Sequence, residues 1–395
     1  EEKGKAATTY RIRDWLVSRQ RYWGAPIPII WCDDCGAVPV EETELPVILP
    51  EDVDFKPTGE SPLVDSKSFH DVRCPKCKKD AKRESDTMDT FVDSSWYYLR
   101  YTDPKNDKAF ADKKKIDFWC PVDLYVGGAE HAVMHLLYAR FFAYALHDLG
   151  YTKFEEPFLK LRNQGLIMGP DGEKMSKSRG NVVNPDTVVS EYGADAIRLY
   201  EMFMGPLEDA KPWDTKGIVG VRRFLDKAWK LYEIVGESNS DDATQTLLHK
   251  TIKKVTEDFE NLKFNTAISG LMILSNSFHA NKSLSKKELA TFLQLLAPLA
   301  PHIAEELWEK IGNSESIFKS KWPQYDEHKI VDEIVTLAVQ VNGKVRGSIQ
   351  VAPDASENDA LTLAKANENV VKHLDGKEIV KVIYVAGRIL NIVIK

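Results

Sequence analysis

Four of the five cysteines form two C-x-x-C pairs, Cys32-Asp-Asp-Cys35 and Cys74-Pro-Lys-Cys77. Each pair can present two thiolates from one tight turn, and two such pairs a few tens of residues apart are the usual layout of a closed four-sulfur zinc site. Gly36 and Pro75 suit such turns, and the Pro-rich stretch between the pairs (Pro39, Pro46, Pro50, Pro57, Pro62) needs a staple. Redox or incidental pairs are the alternative. Cys120, between Trp119 and Pro121, reads as a small buried hydrophobe. A second group is the run Lys174-Met-Ser-Lys-Ser178, with two ammonium groups three residues apart, two hydroxyls, and Gly172 and Gly180 on either side. Such a loop can close over a triphosphate and neutralise the charge that develops as pyrophosphate leaves. The same residues could instead make a solvated turn. A third group is Gly127-Gly-Ala-Glu-His131 with His135. Two glycines at a strand end let backbone approach a ligand. Glu130 can accept hydrogen bonds from hydroxyls, and His131 and His135 share one helix face. Two histidines without a third ligand do not make a metal site by themselves, and two structural histidines are the plainer reading.

These groups need elements to position them. The chain has 395 residues, 43% hydrophobic and 29% charged, with 53 Lys and Arg against 60 Asp and Glu and a formal charge of -7. That balance excludes a disordered, collagen-like or disulfide-scaffold protein and a generally basic nucleic-acid coat. The length suggests two to four domains. No apolar run nears the ~18 residues of a membrane span, and the opening segment lacks a signal-peptide core. An odd cysteine count in such a chain implies reduced thiols. The expectation is a cytoplasmic protein with no membrane partner.

Residues 1–31 read as a basic segment, with Arg11, Arg13, Arg19 and Arg21 around Trp15 and Trp23, leading into a strand. Residues 32–85 form the cysteine-bearing insert. From about 86 to 170, strands and helices alternate, which implies a parallel sheet. Its clearest unit is a strand over Val122–Val126, a Gly127-Gly128 turn and a helix from Ala129 to Leu149, stopped by Gly150. Gln164-Gly-Leu-Ile-Met-Gly169 is an apolar strand just before the lysine loop. Helices follow near 185–204, 217–237, 243–259, 263–281, 286–297 and 300–312, with bundle-core periodicity. A β-hairpin over 335–351 turns at Asn342-Gly343. A short helix near 357–372 and strands near 379–385 and 389–394 complete a small α+β domain.

The run Lys174–Ser178 resembles the KMSKS loop of the class I aminoacyl-tRNA synthetases, with Arg179-Gly-Asn181 continuing in the same manner. Trp15-Leu-Val-Ser-Arg-Gln-Arg-Tyr-Trp-Gly-Ala-Pro-Ile-Pro28 resembles a segment shared by the leucine, isoleucine and valine members. Three further runs resemble the bacterial leucyl-tRNA synthetase family in particular: Asp93-Ser-Ser-Trp-Tyr-Tyr98, Asp123 through His135, and Val341-Asn-Gly-Lys-Val-Arg-Gly347. The resemblance covers essentially the whole chain.

It implies an α/β Rossmann-like half-domain (1–31 and 86–184) with a zinc-ribbon insert (32–85). An all-α tRNA-binding bundle (185–330) and a small α+β C-terminal tRNA-binding domain (331–395) would follow. It implies a leucine–tRNA ligase that uses ATP with Mg2+ to make leucyl-adenylate and transfers leucine to tRNA(Leu). Lys174, Ser176 and Lys177 would act in catalysis. Gly127, Gly128, Glu130, Leu166, Ile167, Met168, Met175 and Ser178 would bind ATP or the adenylate. Phe91, Ser94, Tyr97, His131 and His135 would form the amino-acid pocket. Arg19, Arg21, Lys344 and Arg346 would face tRNA, and Cys32, Cys35, Cys74 and Cys77 would hold structural Zn2+.

None of the nine histidines begins an H-x-G-H motif, the second signature of that family (HIGH), and no threonine-rich editing domain is evident. The chain is therefore expected to be the C-terminal half of the enzyme, inactive without an N-terminal half. Pro170-Asp-Gly-Glu173 stands where some members carry a leucine-specific insert. Two rival readings are a zinc-stabilised tRNA-binding module without catalysis and a valyl or isoleucyl synthetase.

Overall fold

The computed structural model describes residues 4, 6–9, 11, 16–55, 59–330, 335–352 and 354–395, so Arg13, Trp15 and Pro57 lie outside the described residues. The chain divides into two compact units, 1–165 and 166–395.

In the first unit, four strands form an antiparallel sheet: β1 (Ile29–Cys32), β2 (Gly36–Pro39), β3 (Asp71–Arg73) and β4 (Asp80–Arg83), in the order β2-β1-β4-β3. Each cysteine pair sits at the tip of one hairpin, and the β1–β4 pairing joins the two hairpins. The hydrophobic cluster here consists of Cys32, Val38 and Cys74, with Cys35, Cys77 and Ala81 against it. Most of that core is the cysteines themselves.

The remainder of the unit carries α1 (Thr90–Asp93), α2 (Tyr97–Tyr101), β5 (Tyr125–Val126), α3 (His135–Asp148) and β6 (Leu161–Arg162), with β5 and β6 parallel. The long helix expected from Ala129 is shorter. Residues Ala129–Val133 form a 3-10 turn, Met134 breaks it with φ -119 and ψ -108, and the α-helix starts at His135. The expected strand over Val122–Val126 is reduced to β5 plus a bridge from Val122 to Phe158.

The second unit begins with β7 (Ile167–Met168), followed by α4 (Pro185–Tyr192), α5 (Ala194–Phe203) and β8 (Lys211–Pro212), which pairs parallel with β7. The bundle continues through α6 (Thr215–Lys230), α7 (Asp242–Glu260), α8 (Phe264–Asn281), α9 (Lys286–Leu296) and α10 (Pro301–Lys310). Its core includes Leu199, Ile218, Ile268, Leu271, Phe278, Phe292 and Leu307. The single helix expected over 185–204 is interrupted at Gly193, where φ is 92.

The N-terminus of α10 has no side-chain cap of its own. Asp195 of α5 supplies one: its carboxylate accepts from Ile303 N at 2.8 Å, His302 N at 3.3 Å and His302 Nδ1 at 2.8 Å. Asp195→Ala is expected to cost about 1–2 kcal/mol, the size of a lost helix cap. Thermal unfolding checks this, and an unchanged Tm would refute it.

The C-terminal sheet runs β10-β9-β12-β11, from β9 (Val335–Val341), β10 (Lys344–Val351), β11 (Ile379–Val385) and β12 (Ile389–Ile394), with β9 and β12 parallel. Two helices, α11 (Glu357–Ala366) and α12 (Glu368–Leu374), cover one face around Leu337, Val339, Ala360, Val370 and Leu390. Asn342 and Gly343 both have positive φ (49 and 78), as the expected I′ turn requires.

Among the described residues, no helix is long and apolar enough to cross a membrane.

Candidate functional site

The first unit holds a cavity of about 370 Å³ lined by Phe91, Ser94, Tyr97, His131 and His135, together with Thr90, Tyr125, Gly127, Leu136 and Leu161. All five residues expected to form an amino-acid pocket therefore meet in one place. Their elements explain the meeting. Asp89 caps α1 by accepting from Phe91 N at 2.8 Å, which fixes the turn carrying Phe91 and Ser94. The start of α3 brings His135 opposite, with its ring 6.2 Å from that of His131 at near-perpendicular planes.

A hydrogen-bonded row crosses this wall. Ser94 Oγ lies 3.1 Å from His135 Nδ1, Tyr125 OH 2.7 Å from His135 Nε2, and Tyr97 OH 2.7 Å from Tyr125 OH. Tyr125 stacks on Phe158 at 3.8 Å. Sequence reasoning passed over Tyr125, although its position at the C-terminal end of a parallel strand is where ligand-binding residues gather. His131 Nδ1 is buried with no hydrogen-bond partner among the described residues.

Burial, and secondarily the neighbouring His131, pushes the pKa of His135 below its ordinary value. The unfolded chain, titrating near ~6.5, then takes the proton first. This contribution to stability is complete above that pH and is lost as pH falls below it. An NMR titration of the His135 ring should give a midpoint under ~6.5, and a midpoint above it would contradict this assignment.

Glu130 is exposed, with its carboxylate folded over Gly128. Arg19 and Arg21 are engaged within the unit: Arg19 pairs with the buried Asp89 at 2.6 Å, and Arg21 donates to Thr90 Oγ1 at 2.6 Å. Neither is a free surface cation.

In the second unit, Leu166, Ile167 and Met168 run beside Lys211 and Pro212, with backbone bonds Lys211 N to Leu166 O and Trp213 N to Met168 O. The loop that follows is tied at Met175, which packs with Ile167 against the bundle core. Asn181 bonds across it, accepting from Ser176 N at 2.9 Å and donating to both oxygens of Asp171 at 3.0 and 3.1 Å. That amide, then the Glu173 N–H, holds the Asp171 carboxyl below the usual carboxylate range. The ammonium groups of Lys174 and Lys177 have no partner among the described residues. Ser176 Oγ and Ser178 Oγ are 3.2 Å apart.

Lys344 is exposed on its hairpin, whereas Arg346 is half-buried, its Nε without a hydrogen-bond partner among the described residues.

The sulfurs of Cys32, Cys35, Cys74 and Cys77 all lie within 4.8 Å of one another. Cys32 and Cys77 are 3.5 Å apart. A tetrahedral zinc with Zn–S of ~2.3 Å needs sulfurs about 3.8 Å apart, so the cluster suits one ion. The backbone N–H of Cys77 lowers the Cys74 thiol to about 7, while the Cys77 side chain raises Cys35 to about 12. Four thiols packed this closely do not all ionise without a cation.

A parallel-strand fragment bearing this cavity, a lysine loop and a following helical bundle are the parts expected of a class I tRNA synthetase. Residues 5–212 match the family model of tRNA synthetases class I (I, L, M and V), and residues 243–361 match that of the anticodon-binding domain of tRNA ligase. The chain belongs to the class I tRNA synthetase family. Within that family, the similarity runs to leucine–tRNA ligases: 49% identity to that of Alkaliphilus oremlandii and 51% to that of Thermosipho melanesiensis, each over 100% of this chain. The chain spans about half the length of the curated relatives it matches, 50% and 51% respectively. It also superposes on a LeuRS of Agrobacterium radiobacter, solved as a LeuRS-tRNA-LeuAMS ternary complex, with TM-score 0.84 and 38% identity over 98% of this chain and 53% of that one.

Proposed function

We propose that this chain is the C-terminal half of a leucine–tRNA ligase acting in the cytoplasm. Residues 1–31 and 86–184 belong to its catalytic part, 32–85 to a zinc ribbon, and 185–330 and 331–395 to its tRNA-binding domains. An N-terminal half supplies the HIGH histidines and the editing domain. In the first reaction, the leucine carboxylate attacks the ATP α-phosphate, the bond to pyrophosphate breaks and leucyl-adenylate forms. In the second, a 3′-terminal ribose hydroxyl of tRNA(Leu) attacks the leucyl carbonyl and AMP leaves. No side chain forms a covalent intermediate, so positioning and charge stabilisation carry the catalysis.

Phe91, Ser94, Tyr97, His131 and His135 hold the leucine, and the volume of their cavity falls within the range of small-molecule sites. Gly127, Gly128, Leu166, Ile167 and Met168 offer backbone to the adenylate, and Glu130 accepts from its ribose. Lys174 and Lys177 stabilise charge on the departing phosphates, Ser176 and Ser178 donate hydrogen bonds, and Met175 anchors the loop. Mg2+ bound with ATP neutralises phosphate charge. Lys344 and Arg346 are the cations offered to tRNA by the C-terminal domain, while Arg19 and Arg21 stiffen the turn beside the leucine pocket.

The observation that carries this reading is the convergence of the five pocket residues in one cavity, in a chain about half identical to leucine–tRNA ligases throughout. The same identity favours leucine over valine or isoleucine. The test is leucine-dependent ATP–pyrophosphate exchange by this chain mixed with an N-terminal half. Exchange in the mixture alone is expected. Exchange with valine or isoleucine in preference would overturn the substrate, and tRNA binding without any exchange would leave a binding module.

A further inference from the structure

Asp171 and Asn181 lie outside the five-residue lysine run, yet they make the bonds that shape it. Besides its bonds to Ser176 N and Asp171, Asn181 donates from Nδ2 to Lys174 O at 3.3 Å. Asp171 Oδ1 also accepts from Glu173 N at 3.1 Å. Two side chains thus hold three successive points of the loop backbone, at residues 173, 174 and 176. The backbone supplies the frame on both sides. Gly169 N donates to Glu173 O at 2.7 Å, and Arg179 N and Gly180 N donate back to Ser176 O and Lys177 O. Gly169 offers an independent sign of how tightly this packs. A Cβ there would lie 2.6 Å from Asn181 Nδ2 and 2.6 Å from Asp171 Oδ1, so only glycine leaves room for the pair.

We propose that Asp171 and Asn181 are positioning residues: a carboxylate–amide clasp that fixes the backbone of the lysine loop so that its two ammonium groups are presented without a partner of their own. The inference rests on the synthetase reading for its catalytic consequence, and on the loop geometry alone for the clasp. The physical reason is economy of ordering. A free loop must lose backbone entropy each time it closes on a triphosphate, whereas a clasped one has lost it already. The bonds to the Asp171 carboxylate are charge-assisted, the stronger kind, and neither lysine is spent on the clasp.

The loop carries its own reporter, because Lys174, Lys177 and Arg179 are tryptic sites on exposed chain. In Asn181→Asp, two carboxylates face each other and the donor to Lys174 O is gone. Cleavage between 174 and 180 is expected to quicken about tenfold or more, with cleavage elsewhere unchanged. The exchanged pair, Asp171→Asn with Asn181→Asp, rebuilds an amide–carboxylate bond with the roles reversed. It should return to within about threefold of the parent rate.

In the enzyme completed with its N-terminal half, kcat for ATP–pyrophosphate exchange should follow the same order, with the KM for leucine unmoved. A general loss of folding would not spare that KM, nor be repaired by the exchange. Equal cleavage in all three proteins would overturn the clasp. Altered cleavage with an unchanged kcat would overturn its positioning role. Absence of leucine-dependent exchange in the completed parent would instead sink the synthetase reading, and the proteolysis would still decide the clasp.

Discussion

Lys174→Ala and Lys177→Ala, each placed in the completed enzyme, are expected to lower leucine-dependent ATP–pyrophosphate exchange by about two to three orders of magnitude. The figure is that of removing one preorganised charge or donor from a transition state in which negative charge moves onto the departing phosphates. Both ammonium groups are unpartnered among the described residues, so their removal breaks no ion pair and leaves no buried charge behind. Fold stability should therefore be unaffected, and the loss should appear in kcat more than in the KM for leucine. Saturation kinetics of exchange, with thermal unfolding as control, test this. A loss under about fivefold for both variants would show that the loop does not stabilise the departing phosphates, and would remove the chief chemical argument for the proposed reaction.

Removal of the metal implied by the four cysteines should have the largest effect on structure. The chain as purified is expected to carry one zinc, and Cys74→Ser to carry none. The hydrophobic cluster beneath the hairpins is largely the cysteines themselves, and the strands β1 to β4 are three or four residues long. Such strands do not hold without a staple. Zinc binding to sites of this kind is worth on the order of 10–16 kcal/mol, well beyond what that small core can replace. Without metal, tryptic cleavage at Lys76, Lys78, Lys79 and Lys82 should become rapid, while the helices from Pro185 to Lys310 keep their Tm. Metal content by elemental analysis, followed by limited proteolysis before and after chelation, tests this. A metal-free chain with the same protection of 32–83 would overturn the zinc assignment.

Much of the site was legible because its chemistry is local. The C-x-x-C pairs, the Lys174–Ser178 run, the Asn342-Gly343 turn and the helical periodicity after 185 each occupy a few adjacent residues, where spacing alone carries the information. The helix starting at Ala129 was misjudged for a related reason. Periodicity registers an apolar face but not the backbone break at Met134, which leaves the first turn as 3-10.

What the sequence by itself determined is the inventory: two thiol pairs, a lysine loop, a glycine turn ahead of two histidines, and a bundle. The tertiary structure decided which groups are free to act. It committed Arg19 to Asp89 across seventy residues of chain, left Lys174 and Lys177 unpaired among the described residues, and drew Tyr125 into the row that joins His135 to Tyr97. It also gave α10 a cap from Asp195, 107 residues away. These are long-range pairings, set by how sheets and helices pack, and no local pattern of residues records the partner that packing will bring.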